Sequence, residues 1–485
     1  MLNSGYGIAT YPDIRVEPDT LFYGASTTKA FLAAALALMI ESGNYTTSSF
    51  PAEPLSWTTP IANVIRDDFV LMDEWSTTHI TIEDALSHRT GMPPHDKALA
   101  RSYDGEHTAT PRDVVRSLRH LPLTAPPRTK FQYCNLMYAA ASHVVETLTG
   151  GRFLGSLLRE WIWAPLGMAG TYFTLEDGLA APEHFAAGYY WDEKNGSFGT
   201  VPYMPLEEVT GAGSIISSVR DYAKWLRCLV EEAAPLPKAA HRAFKTPRVF
   251  VSDEPGAYDT PSGYAFGWWT SSYKGHRVWT HSGGMHAYGA EVYILPDQKF
   301  GVVTFGNTAF SSNAVGEIVV WDLIYKKLGI AEADRYNWTE KWLGAENRLR
   351  AKVDNALEEI YPDRPTPGLP RALPLENYTG TYFHPGYMNM TLEPATDAAR
   401  AEKPKIELVA ARNQATWKDF CQFEHISGEH WMMYTYFSDG PATVLKGFAP
   451  AQFTIGPDGK VKSLGIEWQN LSGLVDGLIW FEKIA

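Results

Sequence analysis

Cysteine is scarce in this chain. Cys134, Cys228 and Cys421 are the only three among 485 residues, and an odd, scattered set supplies neither a disulfide framework nor a zinc pattern. Positive charge is also in short supply. Lys and Arg total 42 against 55 Asp and Glu, a net charge of −13. That balance argues against nucleic acid or an anionic membrane as the main partner. The one long apolar run, residues 30–40, is too short to span a bilayer. No basic cluster precedes it, and Glu41-Ser42-Gly43 stands where a cleavage site needs small residues. It therefore reads as a buried core helix rather than a signal peptide. The G-x-S-x-G elbow, the Walker loop, HExxH and CxxC are all missing, as are internal repeats and low-complexity tracts.

What is present suits a folded globular protein, with 45% hydrophobic and 20% charged residues. The length predicts at least two domains. A short strand at 5–10 and the extended Leu21-Phe22-Tyr23 lead into a helix from Ser26 to about Ser42, stopped by Gly43-Asn44. Thr81 and Asp84 suit a helix start within Ile80–His88. Helices are expected over 111–121, 136–149, 152–163, 218–232 and 314–328. From Gly263 the hydrophobic period becomes two, and Tyr264–Ser272, Val278–Ser282, Ala287–Leu295 and Gly301–Gly306 read as strands. The expectation is an α/β arrangement in which early and late segments share one sheet. A Pro-rich linker is placed at 346–371, and an antiparallel, barrel-like β domain at 372–485.

Three short stretches carry chemistry. Ser26-Thr27-Thr28-Lys29 puts a hydroxyl and an amine three apart at a helix entrance, so both lie on one face. Serine is a weak nucleophile until a base takes its proton. Lysine serves as that base when burial or a positive field lowers its pKa, and the Ala/Leu-rich run behind it supplies burial. Tyr133-Cys134-Asn135 follows a basic loop and precedes a helix. A tyrosine beside a lysine in a dry site can act as general base, and Asn135 can orient substrate; the plain alternative is a core tyrosine with an N-cap. Trp279-Thr280-His281-Ser282-Gly283-Gly284 ends a strand in small residues, which lets a substrate backbone approach. Its plain alternative is an ordinary strand end with a glycine turn.

In this order the three stretches resemble the motifs of the serine β-lactamase/penicillin-binding-protein superfamily. The branch most similar contains class C β-lactamases, D-aminopeptidases, esterases and fungal acyltransferases. Ser87-His88-Arg89-Thr90-Gly91-Met92-Pro93 resembles its "S-H-x-T-G-x-P" segment. Gly211, Gly213 and Ser217 are in register with its "G-A-G-x-x-x-S-x-x-D" helix, and Asp221 stands one position beyond the place of its Asp. The resemblance covers about residues 5–330 and implies an antiparallel sheet flanked by helices, an all-helical subdomain and a catalytic domain over 1–345. Carried over, it makes Ser26 the acylated nucleophile and Lys29 with Tyr133 its activating pair. Asn135, His281 and Gly283 become substrate-binding positions, and the Ser26 and Gly284 N–H groups the oxyanion hole. No cofactor or metal is implied. The C-terminal stretch, opening with Glu376-Asn377-Tyr378-Thr379-Gly380-Thr381-Tyr382, resembles the lipocalin-like barrels appended to some members.

Two departures matter. His281-Ser282-Gly283 replaces the Lys-Thr-Gly usual in β-lactamases, which removes a permanent cation. The family also carries a helix and a strand ahead of the one placed at 5–10, so an incomplete sheet is expected, with poor solubility or a partner chain filling the gap. The reading is a serine hydrolase acting on a small-molecule ester or amide through acyl-Ser26. An acyltransferase using the same intermediate and a catalytically silent scaffold are the alternatives. A cytoplasmic location is expected, with secretion the alternative if the N-terminus is truncated; N-x-S/T sequons, among them those at Asn44, Asn337, Asn377, Asn389 and Asn470, favour that alternative. A homo-oligomer is compatible with the reading.

Overall fold

The computed structural model describes the chain except at Phe50, 253–255, 441–446, 471–472 and 475–476, with backbone alone at 398, 401–402, 469–470 and 473–474. The sequon at Asn470 lies largely outside the described residues. The chain divides into two compact units. One comprises Met1–Met92, Thr110–Trp191 and Gly196–Glu340; the other comprises Pro93–Ala109, Asp192–Asn195 and Lys341–Ala485. No described helix is long and apolar enough to cross a membrane.

The first unit is built on α1, Lys29–Ser42, which enters from a 3-10 turn at Ala25–Thr28 and ends on left-handed Gly43. Ten of its fourteen residues are buried, so it has no polar face, as its composition requires. Phe31 stacks on Trp225 with ring centroids 4.5 Å apart. Next comes α2, Ile82–Leu86, whose capping box joins the Thr81 side chain and Asp84 reciprocally. The remaining helices that shape the site are α3, Asn135–Leu148, α4, Val219–Glu231, and α5, Ser311–Leu328.

A six-stranded sheet completes this unit: β1 Val249–Phe250, β2 Gly263–Tyr264, β3 Trp269–Tyr273, β4 His276–Met285, β5 Tyr288–Leu295 and β6 Phe300–Gly306. All neighbours are antiparallel and follow chain order. Two sequence expectations change here. Early and late segments do not share this ladder: Ile8–Thr10 pairs with Ile14–Arg15 across the Pro12 turn, and Phe22–Tyr23 pairs with Ile216–Ser217. The strand expected over 264–272 is broken between Tyr264 and Trp269, where Gly267 adopts φ +75°. A Cβ on Gly267 would lie 2.8 Å from the Ala30 backbone nitrogen. The break therefore lets the chain come down on the first turn of α1.

One face of the sheet packs against α5 through Tyr273, Val278, Tyr293, Leu295, Val320, Trp321 and Ile324. Strand β6 is an edge of the ladder, and Val315, Val319 and Leu323 line an exposed stripe along α5. In the second unit, eight strands close a barrel with antiparallel neighbours throughout: β7 Gly380–His384, β8 Met388–Pro394, β9 Ile406–Arg412, β10 Asp419–Ser427, β11 His430–Phe437, β12 Gly447–Ile455, β13 Val461–Ile466 and β14 Ile479–Lys483. Closure removes the edge that an open sheet would expose. Helices Trp338–Asp354 and Ala356–Ile360 precede it; residues 346–360 contain no proline, which first appears at Pro362.

A buried ion network holds the loops that carry the second motif. Asp84 is fully buried and accepts from Thr81, from Arg89 Nε at 2.7 Å and from Arg128 Nη2 at 2.8 Å. Glu83 takes Arg89 and Arg248, and the Arg128 N–H bonds the Arg89 carbonyl. Asp84→Ala leaves two guanidinium groups without their shared carboxylate. We expect a loss of about 3 kcal/mol in urea unfolding; Arg128→Ala, at a half-exposed side chain, loses far less. Equal losses in the two variants would contradict this account.

Candidate active site

Lys29 is fully buried at the start of α1. Its Nζ lies 3.1 Å from Ser26 Oγ, 2.7 Å from Asn135 Oδ1 and 2.8 Å from the Ala212 carbonyl. Three acceptors match the three N–H donors of an ammonium. The neutral amine has only two hydrogens, and a backbone carbonyl and an amide oxygen can only accept. Donation to Ala212 and Asn135 then leaves the nitrogen lone pair for the Ser26 hydroxyl, as a general base requires. Nζ also sits 4.8 Å from the Tyr133 ring centroid and 5.1 Å from that of Tyr138.

The turn that presents Ser26 is strained. Ala25 adopts φ +45°, a conformation that costs a side-chain-bearing residue free energy and persists only where packing enforces it. Gly24 cannot be larger, since a Cβ there would meet Ile215 Cγ2 at 2.7 Å. Strand β4 runs against this turn. A Cβ on Gly283 would be 2.2 Å from the Gly24 carbonyl oxygen, so glycine is required for that approach. Ser26, Lys29, Tyr133 and Asn135 thus meet at one place, with Gly283 packed on the turn before Ser26 and Gly284 next along β4.

His281 faces inward. Its Nδ1 lies 2.6 Å from the Ser282 carbonyl and its Nε2 2.9 Å from Tyr264 Oη. A carbonyl only accepts, so Nδ1 carries the proton and Nε2 receives the tyrosine hydroxyl. Burial first, then the nearby Lys29 charge, push its pKa down to about 3. It presents a neutral ring, 6.2 Å from that of Tyr133. Two arginines of the flanking motifs are engaged elsewhere: Arg89 is held by Asp84 and Glu83, and Arg220 is 3.3 Å from Asp19.

His88 and Ala212 complete the site without a chemical role that their residue types announce. His88 adopts φ +57° and is fully buried. Its Nδ1 accepts the Cys134 N–H at 3.0 Å, fixing the residue between Tyr133 and Asn135, and its ring lies 4.2 Å from Tyr133. Burial, with Lys29 and His281 adding to it, holds its pKa well below the ordinary histidine value. The S-H-x-T-G resemblance marked His88 as part of a motif without saying what it holds. Ala212 acts through its backbone, which residue types do not reveal. Gly211 beside it has no room for a Cβ, which would lie 2.5 Å from Ser142 Oγ.

Both histidines stay neutral in the folded protein, whereas in the unfolded chain they take a proton near pH 6.5. The unfolded state then binds more protons as pH falls below that value. Stability is therefore lost from about pH 7 downward, by up to about 1.4 kcal/mol per pH unit for each histidine. We expect His281→Gln to flatten this acid limb in urea melts taken between pH 7 and 5. A variant with the wild-type slope would contradict the neutral assignment.

A family model described as Beta-lactamase matches residues 3–323, and a Domain of unknown function (DUF3471) matches residues 364–483. The chain is 40% identical over 480 residues to an unguisins hydrolase of Aspergillus campestris, covering 99% of this chain and 86% of that protein. A D-aminopeptidase of Cereibacter sphaeroides is 25% identical over 252 residues, 50% of this chain and 46% of the relative. Among solved structures, the octameric penicillin-binding protein homologue from Pyrococcus abyssi superposes with a TM-score of 0.56 at 20% identity, over 99% of this chain and 92% of that one. With its mixed sheet-and-helix unit and its separate eight-stranded barrel, the chain belongs to the β-lactamase family and is a serine hydrolase of that family.

Proposed function

We propose that this chain hydrolyses an amide or ester bond of a small, peptide-like substrate through an acyl-Ser26 intermediate. The observation that carries the reading is the buried Lys29 amine, bonded at once to Ser26, Asn135 and the Ala212 carbonyl. Lys29 takes the Ser26 proton as Oγ attacks the carbonyl carbon. The Ser26 and Gly284 N–H groups receive the oxyanion, which matters because charge develops there only in the transition state. The proton held by the Lys29–Tyr133 pair passes to the departing nitrogen or oxygen. Water then attacks the acyl-Ser26 ester, giving a proton to the Lys29–Tyr133 pair, which returns it to Ser26 Oγ as the acid leaves. Lys29 and Tyr133 act here as one pair, with Nζ 4.8 Å from the tyrosine ring centroid.

The unguisins hydrolases favour water over an alcohol or amine as the second nucleophile, because similarity to them spans nearly the whole chain. We assign unguisins or close chemical relatives as the substrate on that ground. The D-aminopeptidase likeness supports an amide as the bond cut.

Ser26→Ala is expected to abolish turnover of an unguisin, followed by mass spectrometry as loss of the parent mass and gain of hydrolysis products. It should also abolish labelling by a fluorophosphonate probe. Lys29→Ala and Tyr133→Phe each lower kcat by several orders of magnitude, and the double variant falls little further than either. Near-normal turnover in Lys29→Ala would overturn the mechanism.

The neutral His281 generates a second expectation. A lysine there would grip a carboxylate by charge; this imidazole offers none. A neutral short-chain aryl ester should exceed a carboxylate-bearing cephalosporin in kcat/KM by at least about tenfold, or about 1.4 kcal/mol. His281→Lys narrows that gap. A wild-type preference for the cephalosporin would refute it.

A further inference from the structure

Asn313 has no place in the three motifs, yet it reaches the strand that carries Gly284. It sits in the first turn of α5, just after Phe310, which is held at φ +62°. Its Nδ2 lies 3.0 Å from the Gly283 carbonyl oxygen, 3.2 Å from that of Ala290 and 2.8 Å from Glu291 Oε1. An amide nitrogen has two hydrogens. One serves the carboxylate and the other is shared by the two carbonyls.

Gly283 and Ala290 are partners across the β4–β5 ladder. One nitrogen can reach both carbonyl oxygens only if both face the gap between the strands. In an antiparallel ladder such a pair alternates with pairs whose backbone groups point outward. The Gly283 carbonyl therefore points toward β5. A trans peptide directs its C=O and the following N–H to opposite sides. The Gly284 N–H, on the same peptide plane, then points away from β5. Strand β3 pairs with β4 only as far as Thr280, so among the described residues no strand pairs with β4 on that side at Gly284. The backbone around it is cut to fit: a Cβ on Gly289 would lie 2.6 Å from Asn313 Oδ1, and one on Gly306 would lie 2.5 Å from Ser312 Oγ. Glycine at both positions lets the start of α5 settle onto the strands from the face opposite the Ser26 turn.

We infer that Asn313 is a positioning residue for the oxyanion hole: by holding the Gly283 carbonyl it locks the peptide plane that aims the Gly284 N–H. The inference rests on the acyl-Ser26 reading above. A donor whose plane is fixed beforehand stabilises the oxyanion without reorganising. Freed, the plane can rock, and the loss falls on the transition state rather than on substrate binding.

The test uses Asn313→Ala and the near-isosteric Asn313→Asp in the full chain, with a neutral aryl ester and an arylboronic acid that forms a tetrahedral adduct on Ser26. We expect kcat to fall about 10- to 100-fold, with KM within about threefold and boronic acid affinity falling by the same factor as kcat. Melting temperature should stay within a few degrees of wild type. Should Asn313→Asp fail to fold, because its carboxylate faces that of Glu291, Asn313→Ser carries the same test. Unchanged kcat, or a fall in kcat with boronic acid affinity preserved, overturns the inference. Fluorophosphonate labelling separates the two levels. A wild-type protein left unlabelled at Ser26 sinks the acyl-enzyme reading and this inference with it. Labelling of wild type and Asn313→Ala at equal rates sinks this inference alone.

Discussion

The site is organised by one constraint, an amine with no access to water. A buried ammonium is costly unless every N–H finds an acceptor, and Lys29 finds three. Each acceptor comes from a different part of the chain: the 3-10 turn of Ser26, the start of α3 at Asn135, and the Gly211–Gly213 turn before α4. Satisfying the lysine therefore fixes the relative placement of three segments that lie far apart along the chain. Much of the surrounding design serves that placement. Gly211 has no side chain to collide with Ser142, Gly267 lets the chain cross the first turn of α1, and Gly283 lets β4 touch the Gly24 carbonyl.

Backbone strain gathers around the same point. Ala25, His88, Thr210 and Phe310 all hold positive φ, and they flank Ser26, the Tyr133–Asn135 loop, the Ala212 carbonyl and Asn313 respectively. None is glycine, so each is held by its neighbours against its own preference. His88 shows how. Gln132 donates its N–H to the His88 carbonyl, Cys134 donates to Nδ1, and the Arg89–Asp84–Arg128 network closes on either side. The ion network stands one step removed from the chemistry, yet it ties the loop carrying Tyr133 to the α2 segment.

Much of this was legible in the sequence where the signal is local. The Ser26–Lys29 spacing, the Thr81–Asp84 capping box and the two-residue period from Gly263 each depend on neighbours a few positions apart, and each corresponds to an observed element. Legibility fails where the determinant is distant. Gly267 interrupts a strand pattern because of α1, more than two hundred residues earlier, and nothing near Gly267 announces it. Ala212 contributes a carbonyl that any residue type possesses. The expected sharing of one sheet by early and late strands failed because Ile8–Thr10 turns back on Ile14–Arg15, a local pairing that alternation alone cannot tell from a distant one.

His281 shows how the same residue type can serve opposite ends. A histidine in water near neutral pH is a switch. Enclosed between the Tyr264 hydroxyl and the Ser282 carbonyl, with Lys29 close by, it is locked into one neutral tautomer. A lysine in that position would place a second positive charge close to Lys29. Neutrality at 281 sets no second cation beside Lys29 and offers no charge to a carboxylate. The His-Ser-Gly strand thus differs from the Lys-Thr-Gly form in charge at one position, a difference set by burial and by the two hydrogen bonds that enclose the ring.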